Sequence, residues 1–155
     1  MGMKTAYIEL NSTNQIHTLS HKHGKPSFLY KGVVFYPNAT VTSLQEILHM
    51  DYRYFILDIG VLTKQNVSEF LRCDKQFLVC SPSKWRCFQL KESLESIFIH
   101  QKQNCFALIL NLTKKESTFK FSFIHCKQHY FPYINNPFLL EPHNFDAISL
   151  LLKNL

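Results

Sequence analysis

The chain has 155 residues, 46% of them hydrophobic, which excludes a disordered polypeptide and predicts a globular protein with its own core. The net charge of +6 favours contact with polyanions such as nucleic acids but does not establish it. No apolar run approaches the roughly 20 residues that span a bilayer, and the N-terminus lacks the apolar core of a signal peptide. We therefore predict a cytoplasmic protein.

The predicted elements of the N-terminal half alternate between strand and helix. Residues 4–10 predict a strand, and residues 27–37 predict a β-hairpin that turns at Lys31 and Gly32. Ser43 and Glu46 have the spacing of a capping box ahead of a short helix. The run "YRYFILDIGV" (52–61) then predicts a buried strand that ends on Asp58.

The C-terminal half continues the same alternation. In chain order, we predict a short helix capped by Asn66, a strand over 76–81, a helix over 83–100, a strand over 104–112, a segment of undecided type from Thr113 to Phe123, a strand over 130–134 and a terminal helix capped by Asn144. Unbroken apolar strands separated by helices are typical of parallel sheets that are covered on both faces. We therefore predict one α/β domain over residues 1–155, with three layers and a mostly parallel sheet.

The cysteines and histidines do not predict a metal site. The five cysteines are an odd number, and Cys73, Cys80 and Cys87 are spaced by seven residues. Structural zinc sites use closer pairs of ligands. We expect free thiols in a reducing compartment, and no cofactor bound through these residues.

Several of these segments together resemble the ParA/MinD family of P-loop ATPases, over residues 3–154 or so. "KTAYIELN" resembles the family's second strand, "DYRYFILDIG" its Walker B strand, and "CDKQFLVCSPSKW" the next strand and loop. "FALILNL" and "YFPYI" are similar to two later strands that approach the nucleotide base. The resemblance implies a P-loop-NTPase-like fold.

The resemblance also implies roles for four residues. Asp58 takes the position that holds the magnesium-bound water, and Glu9 the position of an acid that assists hydrolysis. Asn111 takes the position that contacts adenine, and Pro132 lies near the base and ribose. Two residues have simpler interpretations as well, because Asp58 can cap a strand end and Asn111 can be a helix N-cap.

The family's phosphate loop is missing from this sequence. None of the four glycines lies in a glycine-rich, lysine-bearing loop, and the family's first strand has no counterpart. In the family that strand lies between the Walker B strand and the next one. Strands 53–59 and 76–81 should therefore pair directly or leave a gap. Under this resemblance we expect the chain to be either part of a longer ATPase or a natural remnant without the loop.

These observations predict a non-catalytic ParA/MinD-like interaction or regulatory domain, with a homodimer or a protein partner that completes the sheet. We expect no bound cofactor; ATP and magnesium, held by Asp58, are expected only if a phosphate loop is supplied. One alternative is the C-terminal part of a ParA/MinD-like ATPase that positions cellular machinery. The other is a small basic nucleic-acid-binding protein, whose affinity would fall steeply with salt.

Overall fold

The structure is a computed structural model, and the chain divides into two compact units, Met1–Leu62 and Thr63–Leu155. It describes residues 4–19, 25–80, 90–92, 94–95, 107–111, 127–131, 134 and 141–153. The fold is mixed α/β, as the sequence predicts, with a four-stranded, mostly parallel sheet in the first unit. The single domain over residues 1–155 stays a prediction.

The first unit is built on a sheet with its first strand near the middle. Its strands are β1 (Thr5–Glu9), β2 (Phe28–Tyr30), β3 (Val33–Tyr36) and β4 (Tyr54–Asp58). Their order in the sheet is β2-β3-β1-β4, and β1 pairs in parallel with both β3 and β4. The carboxyl ends of β1, β3 and β4 therefore lie along one edge of the sheet.

The predicted hairpin is confirmed, because β2 and β3 are antiparallel and Tyr30 lies opposite Val33. Two residues, Lys31 and Gly32, connect the strands with φ angles of 46° and 83°. Two consecutive positive φ values are the signature of the tight turn whose twist suits a hairpin. Glycine adopts such a conformation without steric cost, and lysine does not.

One helix of the first unit, α1 (Val41–Leu48), joins β3 to β4. The capping box predicted for Ser43 and Glu46 is wrong. The N-cap is Thr40, whose hydroxyl accepts a hydrogen bond from the Ser43 amide while the Ser43 hydroxyl accepts one from the Thr40 amide. The helix begins early because Thr40 and Ser43 satisfy each other's backbone donors.

The core of the first unit lies between α1 and one face of the sheet. Ala6 and Ile8 alternate along β1 and are fully buried against Leu44 and Ile47 of α1. Their spacing follows from the geometry of each element, since strand residues two apart share a face and helix residues three apart share a side. Burial of four such side chains fixes α1 on the sheet.

The second unit contains a smaller parallel sheet in the order β5-β6-β7. Its elements are α2 (Val67–Leu71), β5 (Phe77–Cys80), β6 (Ala107–Asn111), β7 (Lys127–Phe131) and α3 (Pro142–Lys153). Residues 90–92 and 94–95 are helical, within the helix predicted over 83–100. The segment predicted from Thr113 to Phe123 lies outside the described residues.

Two boundaries of the second unit differ from the predictions. The strand predicted over 130–134 is β7, which runs earlier in the chain and ends at Phe131. The terminal helix begins at Pro142, so Asn144 is not its N-cap. Asn144 instead lies in the first turn, where its side-chain oxygen accepts a hydrogen bond from the Glu141 amide at 3.0 Å.

The strands that the missing first strand would separate do not share a sheet in the part of the chain that the structure describes. β4 pairs with β1 and ends the four-stranded sheet, and β5 pairs with β6 and ends the three-stranded sheet. Direct pairing, one of the two expected outcomes, is therefore not found there. Across the same residues, no helix has the length and apolar character needed to cross a bilayer.

Candidate functional site

Two of the predicted site residues meet at the carboxyl edge of the four-stranded sheet. Glu9 is the last residue of β1 and Asp58 the last of β4, and the two are directly paired in the parallel register. Because residues paired in register point to the same face, both carboxylates lie on the face opposite α1. The sequence correctly identified both as strand-end acids.

Glu9 is fully buried, with 0% of its surface exposed, and its carboxylate accepts hydrogen bonds from the surrounding backbone. Oε1 accepts from the amides of Gln15 and Ile16, at 3.0 and 3.3 Å. Oε2 accepts from the amide of Asn38 at 3.3 Å. Buried carboxylates are tolerated when such donors replace water, so Glu9 is an anchor for the loops that follow β1 and β3.

Asp58 is partly buried and is also engaged by neighbouring donors. The Tyr7 hydroxyl donates to Oδ2 at 2.8 Å, and the Gly60 amide donates to Oδ1 at 3.0 Å. The second of these bonds is the turn-forming contact that aspartate makes with the backbone two residues later. The strand-end cap anticipated as the simpler interpretation of Asp58 is therefore present.

The phenol of Tyr7 has a pKa above the ordinary value of a tyrosine and therefore stays protonated to a higher pH. Burial raises the pKa of Tyr7 above its ordinary value of 10.0, and the hydrogen bond to Asp58 raises it further. A protonated phenol remains a donor to the carboxylate at neutral and mildly alkaline pH. The sequence does not single out Tyr7, although its place two residues before Glu9 puts both on the same face of β1.

Close packing joins the turns at this edge. The backbone of Gly60 has a φ of 65°, and a Cβ built there would lie 2.8 Å from the Cβ of Asn11. The Asn11 side-chain amide donates to the Asp58 carbonyl at 3.3 Å. Gly60 is therefore required both by its conformation and by the approach of Asn11.

The two strand-end carboxylates at this edge are engaged by groups of the protein itself. Every carboxylate oxygen of Glu9 and Asp58 already accepts a hydrogen bond from the protein. The loop amides of Gln15 and Ile16, which could otherwise meet an anion, point at Glu9. Metal-ligating side chains do not form a group of three or more among the residues that were placed.

The remaining two predicted site residues belong to the second unit of the chain. Asn111 is the last residue of β6, in the three-stranded sheet, where it is paired in register with Phe131. Its predicted adenine contact stays a prediction. Pro132 directly follows β7 and lies outside the described residues.

A separate open cavity of about 400 Å³ lies at the amino edge of the four-stranded sheet. It is lined by Lys4, Thr5, Leu29, Gly32, Val34, Met50, Asp51 and Tyr52. The Lys4 ammonium lies 2.8 Å from the Asp51 carboxylate, and this hydrogen bond raises the pKa of Lys4 and lowers that of Asp51. Both side chains are well exposed, so water screens the pair and it contributes little to stability.

Comparison with known proteins adds no relative to this geometry. No protein-family model matches the chain, and no curated protein sequence matches it. The structure is therefore that of a mixed α/β protein in which the carboxylates at two strand ends accept hydrogen bonds from backbone amides of the protein's own loops.

Proposed function

We propose that this chain is a non-catalytic interaction or regulatory domain, related in fold to the ParA/MinD ATPases and located in the cytoplasm. The observation that carries the proposal is the use of Glu9 and Asp58 as internal acceptors. The resemblance to the family implies that Glu9 assists hydrolysis and that Asp58 holds the magnesium-bound water. In this structure their oxygens instead accept hydrogen bonds from loop amides and from the Tyr7 hydroxyl. Carboxylates held in this way stabilise the loops that follow β1, β3 and β4.

Two features of the fold support the resemblance itself. The parallel strands β3, β1 and β4 place their carboxyl ends on one edge, which is where α/β proteins of this type bind ligands. In the part of the chain that the structure describes, the four-stranded sheet ends at β4, next to which the family has its first strand. The proposal includes a P-loop-NTPase-like arrangement of three layers, in which helices cover both faces of a mostly parallel sheet.

Calorimetry of the 155-residue protein with ATP and ADP, with and without magnesium, tests the absence of a nucleotide site. We expect no binding up to millimolar nucleotide and no release of phosphate above the buffer rate. Asp58→Asn removes the candidate ligand, and Asp51→Asn is its matched control at an exposed carboxylate. Magnesium-dependent binding in the micromolar range, lost in Asp58→Asn and kept in Asp51→Asn, would overturn the proposal.

The end position of β4 also favours a second candidate, the C-terminal part of a ParA/MinD-like ATPase whose first strand and phosphate loop come from a preceding segment. The coding region directly upstream tests it. A strand followed by a glycine-rich, lysine-bearing loop would support this candidate, and it would be strengthened by nucleotide binding when that segment is joined to the chain. Unrelated sequence upstream would remove it.

A further inference from the structure

The outer edge of β4 has the properties of a strand that pairs with another chain. β4 is hydrogen-bonded to β1 on one side, and on its other side it has no neighbouring strand among the described residues. Natural sheets usually protect such an edge with charged residues, prolines or bulges along the strand. Between its first residue and Asp58, β4 reads Tyr-Phe-Ile-Leu and contains no such feature.

The direction of the backbone groups shows which of them face this edge. The Tyr54 amide donates to the Lys4 carbonyl, and the Asp58 carbonyl accepts from the Leu10 amide, so both residues direct their backbone groups towards β1. Backbone groups alternate in direction along a strand. The amide and carbonyl groups of Phe55 and Leu57 therefore point outwards, at positions two residues apart.

The side chains along the edge are apolar and exposed on the face opposite α1. Tyr54 and Ile56 have 50% and 49% of their surfaces exposed, at alternate positions of the same strand. Phe55 and Leu57, on the other face, pack against the core of the first unit. The edge thus offers backbone hydrogen-bonding groups together with apolar side chains that gain from burial.

Opposite charges lie at the two ends of the edge. The Arg53 guanidinium lies over the ring of Tyr54, 5.9 Å from its centre, and Asp58 lies at the other end. Tyr54 and Asp58 point to the same face, since they are four residues apart in one strand. An antiparallel copy of the same strand would therefore bring Arg53 and Tyr54 of each molecule to Asp58 of the other.

We infer that the outer edge of β4 binds a second copy of this chain, with the two β4 strands antiparallel about a two-fold axis at Ile56. Phe55 of each copy then pairs with Leu57 of the other through both backbone groups, and the two Ile56 side chains meet at the axis. The result is a continuous eight-stranded sheet. This inference rests on the proposed interaction role, for which it names the partner.

Cysteine cross-linking tests the register. At a directly opposed position that is not hydrogen-bonded, Cα atoms lie about 4.5 Å apart, within the range that a disulfide bridges. Ile56→Cys should form a 56–56 disulfide under mild oxidation, identified by mass spectrometry of the linked peptide. Tyr54→Cys is the matched control, because it is equally exposed and lies opposite Asp58 in this register. We expect at least about tenfold less self-linked peptide from the control.

Sedimentation of the unmodified sequence and a charged variant provides the second measurement. The protein should dimerise reversibly with concentration, and Ile56→Lys should weaken the dimer at least about tenfold by placing two ammonium groups at the axis. Leu29→Lys replaces another exposed apolar residue of the same sheet and should leave the dimer unchanged. Equal cross-linking of both cysteine variants, or a monomer at all concentrations, would refute the inference. A protein that is monomeric and binds no nucleotide would refute the β4 dimer but not the proposed interaction role.

Discussion

Replacing Glu9 with glutamine changes one oxygen of a fully buried carboxylate into an amide donor and leaves the shape almost unchanged. One orientation keeps the oxygen on the Gln15 and Ile16 amides and turns the new NH₂ group towards the Asn38 amide. Two donors then face each other where a bond existed. The reverse orientation sets the NH₂ group against two amides, so it is worse.

The cost follows from these contacts. An unsatisfied buried donor costs about 1–3 kcal/mol, and a bond to a neutral acceptor is about 1 kcal/mol weaker than one to a charged acceptor. Relief of the desolvation of the buried charge offsets part of this loss. We expect Glu9→Gln to lower the free energy of unfolding by about 2 kcal/mol.

Urea unfolding followed by circular dichroism measures this loss, with Glu46→Gln on the exposed side of α1 as the control, expected within about 0.5 kcal/mol of the unmodified protein. Amide hydrogen exchange gives a local measurement in the first unit. The Gln15, Ile16 and Asn38 amides should exchange faster in Glu9→Gln. A loss equal to that of the control, with unchanged exchange at these amides, would show that the Glu9 carboxylate does not hold the loops.

Three further predictions test other contacts of the first unit. Thr40→Ala removes the N-cap of α1 and should lower the free energy of unfolding by about 1 kcal/mol; an unchanged urea midpoint would contradict the cap. Gly60→Ala should cost more than Gly32→Ala, because both have positive φ but only Gly60 has a neighbour within 4 Å of the added Cβ. Equal losses would disprove the Asn11 contact. Tyr7 has a raised pKa, so its contribution to stability is complete below pH 10 and is lost as the pH rises further. Tyr7→Phe should flatten that alkaline loss in urea midpoints, and an unchanged pH profile would exclude Tyr7 as its source.

The sequence predicted most strands because short apolar runs indicate a strand whatever its neighbours are. The burial predicted for the strand that ends on Asp58 was wrong, because Tyr54 and Ile56 of β4 are half exposed. The runs that became β1, β4 and β6 are apolar and short, and the Lys31-Gly32 pair marked the hairpin turn. β7 was placed too late in the chain because its first residues, from Lys127 to His129, are polar.

The role of the strand-end acids could not be decided from the sequence. A buried glutamate that binds loop amides and one that serves a reaction both appear as an acid after an apolar run. Only the positions of the Gln15 and Asn38 amides, set by two loops distant in the chain, distinguish them. The incorrect N-cap predicted for α1 has a similar origin. Thr40 with Ser43, and Ser43 with Glu46, are both pairs of polar residues at the spacing of a capping box, and the sequence alone does not show which pair begins the helix.

The place of β1 in the sheet has a consequence for the order of folding. The ribosome makes β1 before both of its partners, β3 and β4, which follow later in the chain. The pairing of β2 with β3 is local in the chain and can form as soon as the hairpin emerges. Until β3 and then β4 emerge, the apolar side chains of β1 lack their native cover. The risk that the nascent chain associates with other chains is therefore greatest while the segment from the hairpin to Asp58 is being synthesised. The risk falls when β4 pairs with β1.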